Sequence, residues 1–171
     1  MIRRRLYLSI VLFAFFCSGT TTAEAQDEKF KAIFIYNFTK YVSWPVKQGN
    51  FTIVILGNDA VTPALQDIAT KKMVGSSQIE IRSARTPAEI GNCHILYIPQ
   101  GKSDLLPQLT AKARETGILI VTEKTDACSQ GSCINFINNG GKITFEISRP
   151  NIETNGLKVS GDLIQLGISK N

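Results

Sequence analysis

The chain has 171 residues, 43% of them hydrophobic and 19% charged, and 19 Lys and Arg against 14 Asp and Glu give a formal charge of +5. A surplus this mild serves solubility, and no basic run interleaved with aromatic residues marks a nucleic-acid surface. One histidine among 171 residues leaves a thin inventory for acid–base or metal chemistry.

The N-terminus reads as an export address. Arg3, Arg4 and Arg5 make a positive start, Leu6 to Phe16 an apolar run, and Ala23-Glu24-Ala25 puts small residues at the −3 and −1 positions. Cleavage is expected before Gln26, with residues 1–25 a signal peptide and residues 26–171 one domain. The apolar run falls short of the roughly 20 residues that a bilayer-spanning helix needs. Processing removes Arg3, Arg4, Arg5 and Glu24, which leaves 16 basic against 13 acidic residues.

Six of the ten aromatic residues beyond residue 25 then follow closely: Phe30, Phe34, Tyr36, Phe38, Tyr41 and Trp44. Asp27 and Glu28 favour the positive end of a helix dipole. Phe30, Ile33, Phe34, Phe38 and Tyr41 recur at the spacing of one helical face, so this stripe is expected in the core. Trp44-Pro45 should end the helix, because proline disfavours the α conformation in the residue before it. Ile35, Tyr36 and Trp44 lie off the stripe and are expected to form a second surface, one that contacts a partner.

Phe51 to Leu56 is a continuous apolar run, expected as a strand buried on both faces of a parallel sheet. Thr62 to Thr70 reads as a short helix opened by Pro63. Ile79 to Ile81 and His94 to Ile98 read as strands, with a brief helical piece at Thr86 to Ile90 between them. A helix starting between Ser103 and Pro107 runs to about Arg114, and a strand follows at Ile118 to Val121. Ile134 to Phe136 and Ile143 to Ile147 flank Asn138-Asn-Gly-Gly141, a hairpin signal. Ile143, Phe145 and Ile147 alternate with Lys142, Thr144 and Glu146, which predicts one wet face. A turn or short helix at Asn151 to Asn155 and a helical turn or two at Asp162 to Ile168 close the chain. The order predicts an α/β layered sandwich: a mostly parallel sheet, helices on both faces, and a C-terminal antiparallel hairpin.

No catalytic constellation emerges, and neither cofactor nor metal is expected. His94 is the lone imidazole, no Cys/His pair has zinc spacing, and no nucleophile elbow accompanies it. Gly101-Lys102-Ser103 lacks the earlier glycine of a phosphate loop, whose place is Leu96 in a strand. Gly57-Asn58-Asp59 lacks the further glycines of a dinucleotide fingerprint. Ligands of open α/β sheets sit at the carboxyl ends of the strands, where Asn58, Asp59, Gln100, Ser103, Glu123 and Asp126 form a polar rim.

Export implies an oxidising compartment, and Cys128-Ser-Gln-Gly-Ser-Cys133 is a polar loop able to curl back on itself. A Cys128–Cys133 disulfide is expected, contributing about 2 kcal/mol or less for so short a loop. Cys93 is left over, either a buried apolar thiol or one open to intermolecular bridging.

Lys31-Ala-Ile-Phe-Ile-Tyr-Asn-Phe-Thr-Lys-Tyr-Val-Ser-Trp-Pro45 resembles the opening motif of the YfiR family of small exported bacterial proteins. Cys93-His94-Ile-Leu-Tyr-Ile98, Gly140-Gly141-Lys-Ile-Thr-Phe-Glu-Ile147, Gly156-Leu-Lys-Val-Ser160 and Leu163-Ile-Gln-Leu166 follow in the family's order. The resemblance implies a periplasmic regulator and no enzyme. Its partner would be the periplasmic domain of an inner-membrane diguanylate cyclase or a related sensor, held inactive so that cyclic di-GMP and biofilm formation fall. It also implies an α/β sandwich able to form a homodimer, and it matches Cys128 and Cys133 to the family's late disulfide. The chain departs from some relatives at Cys93, because Phe51 to Leu56 holds no cysteine to pair with it. The alternative expectation is a small-ligand sensing module at the strand rim that feeds a histidine kinase or a transporter.

Overall fold

The apolar run Phe51–Leu56 is buried along all six residues because it lies inside a sheet, paired on both edges. The computed structural model describes residues 20–45 and 49–170, and the expected signal peptide lies outside the described residues as far as residue 19. In chain order the elements are α1 (Thr20–Tyr41), β1 (Val42–Ser43), β2 (Phe51–Leu56), α2 (Val61–Lys71), β3 (Met73–Val74), β4 (Ser77–Ala84) and β5 (Ile95–Ile98). There follow α3 (Leu106–Thr116), β6 (Leu119–Thr122), β7 (Ile134–Asn139), β8 (Lys142–Ile147), α4 (Arg149–Thr154), β9 (Lys158–Val159), α5 (Gly161–Leu166) and β10 (Ile168–Ser169). Among the described residues no helix is long and apolar enough to cross a membrane.

Eight strands form one sheet in the order β10-β8-β7-β6-β5-β2-β4-β3. From β4 through β2, β5 and β6 to β7 every pairing is parallel. The β7–β8 hairpin is antiparallel, as the Asn-Asn-Gly-Gly turn predicts, and Gly140 and Gly141 supply its positive φ angles of 62° and 85°. From β2 the chain moves outward to β4, then crosses back past β2 to β5 and β6. Right-handed crossovers running in opposite directions place α2 and α3 on opposite faces. The layered α/β reading is therefore met, with helices on both faces. A small second sheet pairs β1 with β9.

The first helix departs from its expected shape in two ways. It ends at Tyr41, since Val42 and Ser43 pair with Val159 and Lys158, and Ser160 donates its N–H to the Tyr41 carbonyl. Its buried face is also rotated. Lys31, Ala32, Ile35 and Phe38 face inward, whereas Phe30 and Ile33 are 45% and 47% exposed. Phe34 and Phe38 do meet the sheet, packing on Phe145 with ring centroids 5.6 and 5.2 Å apart. Ile35, expected on a partner surface, is fully buried and belongs to the core.

The hairpin's wet face fails at one residue. Glu146 is buried, its carboxylate accepting from Asn135 Nδ2 at 3.0 Å and from Lys170 Nζ at 2.9 Å. Burial opposes its ionisation, yet those two donors hold its pKa below the ordinary carboxylate range. Asn135 also accepts from Thr122 Oγ1 and the Lys124 N–H, so β6, β7, β8 and the C-terminus share one buried polar chain.

Candidate functional site

Helix α1 presents two unlike faces at the carboxyl edge of the sheet. Inward, Lys31 sits among apolar neighbours and is balanced by two carboxylates: Nζ lies 2.7 Å from Glu28 Oε1 and 2.9 Å from Glu123 Oε2. Burial by itself would lower the Lys31 pKa, but its hydrogen bonds to Glu28 and Glu123 outweigh that and raise it. Burial, with help from the Glu28 and Asp59 carboxylates, raises the Glu123 pKa against the opposing pull of Lys31. The two partners shift in ways that favour different charge states, because one ammonium is shared by two acids. The cation is doubly satisfied, and Glu123 is not.

Outward, α1 carries Phe30, Ile33 and Lys40, with Tyr36 half-buried at their side. The Lys40 ammonium lies 4.9 Å from the Tyr36 ring centroid, within cation–π range. Phe30 also borders a groove of about 330 Å³ between α1 and the β7–β8 turn, with Phe34, Lys142 and Ile143. Large apolar side chains left half in water on a long helix have the form of a docking face.

The polar rim expected at the strand ends is split in two. Gln100 and Glu123 line a recess of about 280 Å³ beneath α1, together with Glu28 and Lys31. Asn58 and Asp59 line a separate hollow beside Thr62 and Ser83. Asp59 Oδ1 accepts the Val61 N–H at 2.9 Å and so is occupied in starting α2. Ser103 is buried in neither hollow, and its hydroxyl donates to the Gln100 carbonyl at 2.8 Å. Asp126 is exposed and takes a left-handed conformation, φ 57°. No point on the rim gathers the residues that the sequence suggested.

Trp44 and His94 knit the opposite, amino-terminal edge. The Trp44 indole N–H donates to the His94 carbonyl at 2.9 Å, and its ring meets Phe51 edge-on at 5.0 Å. His94 stacks on Phe51 at 4.3 Å, and its Nδ1 accepts the Thr52 backbone N–H at 3.0 Å. That bond fixes the tautomer and gives the imidazole a structural task. Among the described residues no group of three His, Cys, Asp or Glu could hold a metal ion.

Cys128 and Cys133 are separate buried thiols in the structure, so the expected bridge is not made there. Burial pushes both up to about 12. Asn155 Nδ2 lies 3.3 Å from Cys133 Sγ, and Asn151 Nδ2 donates to the Cys128 carbonyl at 2.7 Å. The loop is thus held by two asparagines of the α4 region. Cys93 is buried as well.

Sequence reasoning missed Lys31, Glu28 and the exposed pair Phe30 and Ile33. The only available signal was a charged Glu28–Lys31 step at helical spacing next to an aromatic run.

The chain matches the model of the YfiR/HmsC-like family over residues 28–168 and belongs to that family. No curated protein matches it significantly.

Proposed function

We propose that this YfiR/HmsC-like protein is an exported periplasmic regulator, one that docks on the sensor domain of a membrane-bound signalling enzyme and holds it inactive. The enzyme is most simply a diguanylate cyclase, so that docking lowers cyclic di-GMP and biofilm formation. Family membership supports a regulatory role over a catalytic one. The observation that carries the docking face is the outward side of α1, where Phe30 and Ile33 stay about half exposed beside Tyr36. Repression then follows from population shift: the protein binds the inactive arrangement of the enzyme more tightly than the active one.

Tyr36 and Trp44 keep a place in this reading, joined by Phe30 and Ile33, while Ile35 drops out. Trp44 adds the exposed edge of a ring already tied to His94. Small-ligand sensing draws less support, because Asp59, Ser103 and Glu123 are each engaged inside the fold. The test is the Phe30→Ala/Ile33→Ala variant. Its thermal midpoint and periplasmic level should match wild type, and cellular cyclic di-GMP should rise to the level of a deletion strain. Cyclic di-GMP that stays at the wild-type level with normal protein abundance removes α1 as the docking face.

A further inference from the structure

The recess under the first turns of α1 holds more negative charge than its one cation can pair. Lys31 Nζ is shared between Glu28 and Glu123, and the other oxygen of each acid, Glu28 Oε2 and Glu123 Oε1, is shut off from solvent with no hydrogen-bond partner. The charged groups facing this point are Glu24, Asp27, Glu28 and Lys31 from α1, Asp59 from the β2–α2 turn, and Glu123 after β6. The segment after β5 and strands β7 and β8 contribute only uncharged lining, including Gln100 and Asn138. The anions outnumber the cations even when Glu24 is left out and the α-amino group that cleavage before Gln26 would create is counted. A buried carboxylate lacking donors is costly, and its neutral form is far cheaper to bury.

We propose that this triad is a proton-operated latch: one proton taken up by Glu123 on mild acidification cancels the surplus charge beside Glu28 and seats α1 more firmly on the sheet. The proton goes to a carboxylate oxygen that has no donor, no heavy-atom bond changes, and Lys31 stays charged throughout. The sign follows from burial, which raises the Glu123 pKa. The stabilisation is fully present below the ordinary carboxylate value and is lost as pH rises through the raised one. Docking through the outer face of α1 would then be firmest in mild acid. The latch itself does not depend on that docking, because it is read on the helix.

Hydrogen exchange of the purified protein tests it, comparing residues 29–38 with residues 106–116 of α3 between about pH 5 and pH 8 after correction for intrinsic rates. Protection of residues 29–38 in wild type should rise toward the acid end while α3 stays level. Glu123→Gln keeps an acceptor for Lys31 but cannot take the proton, so its α1 protection should be high and flat. Glu28→Gln should flatten the profile too, and it serves if Glu123→Gln does not fold. A flat wild-type profile, or a rise that persists in either variant, overturns the latch.

Discussion

Reduced protein should lose stability steeply in mild alkali, and Cys128 and Cys133 are the cause. Burial, aided at Cys128 by Glu146 and Cys133, takes each thiol from 9.0 up to about 12. In the unfolded chain the thiols ionise near their ordinary value. Between the two values the unfolded state has released a proton that the native state keeps, so stability falls as pH rises. The slope is about 1.4 kcal/mol per pH unit for each thiol. One unit above the ordinary value the pair costs roughly 3 kcal/mol, a large share of the 5–15 kcal/mol that holds a typical domain together. The loss vanishes well below the ordinary value and levels off near the raised one. Urea unfolding under reductant at about pH 8, 9 and 10 measures it, with a Cys128→Ser/Cys133→Ser variant subtracted to remove lysine and tyrosine titration. Equal slopes for the two proteins refute the reasoning. Protein isolated oxidised from the periplasm should be two hydrogens lighter and follow the flatter slope, since a bridged pair has no thiol left to ionise.

Two further outcomes follow from packing. At Gly167 a Cβ would overlap Phe145 Cε2 and come within 2.8 Å of Cδ2 and 2.9 Å of Ile147 Cγ2, and Phe34 and Phe38 leave that ring no room to give way. Gly167→Ala should therefore cost about 1–3 kcal/mol, while Gly101→Ala, which meets open space, should stay within about 0.5 kcal/mol; equal thermal midpoints for the two variants argue against this packing. Trp44→Phe removes the bond to the His94 carbonyl together with the second ring of the indole and should cost about 1–2 kcal/mol, whereas Trp44→Ala also empties the space against Phe51 and should cost on the order of 3 kcal/mol. Denaturant unfolding followed by circular dichroism separates them, and identical costs would mean that the ring does not pack there.

The sheet was legible where burial is one-sided in its demands. A run such as Phe51–Leu56 can only sit inside a parallel sheet, and Asn138-Asn-Gly-Gly141 supplies the positive φ that a tight hairpin needs. Short pairings were not legible. β1, β9 and β10 are two-residue segments whose strand character comes from the partner and not from their own composition. Glu146 misled for a related reason: alternation marks it as wet, but Asn135 and the distant Lys170 reach it only once the chain has folded.

The face of α1 was misread because two stripes compete on it. Phe30, Ile33, Phe34, Phe38 and Tyr41 make the richer apolar stripe, and Lys31, Ala32, Ile35 and Phe38 make the one that is buried. Both fit helical spacing, and apolar residues lie so evenly around the helix that hydrophobicity gives no clear direction. The observed rotation brings Lys31 to a partner from far along the chain. Glu123, at the end of β6, offers a carboxylate where Lys31 can be buried in company, and a lysine turned inward carries Phe30 and Ile33 outward. The residues suited to meeting a partner are thus the ones displaced when a charged pair claims the inner face. In the proposed docking mode, Phe30 and Ile33 are the side chains that would meet the partner.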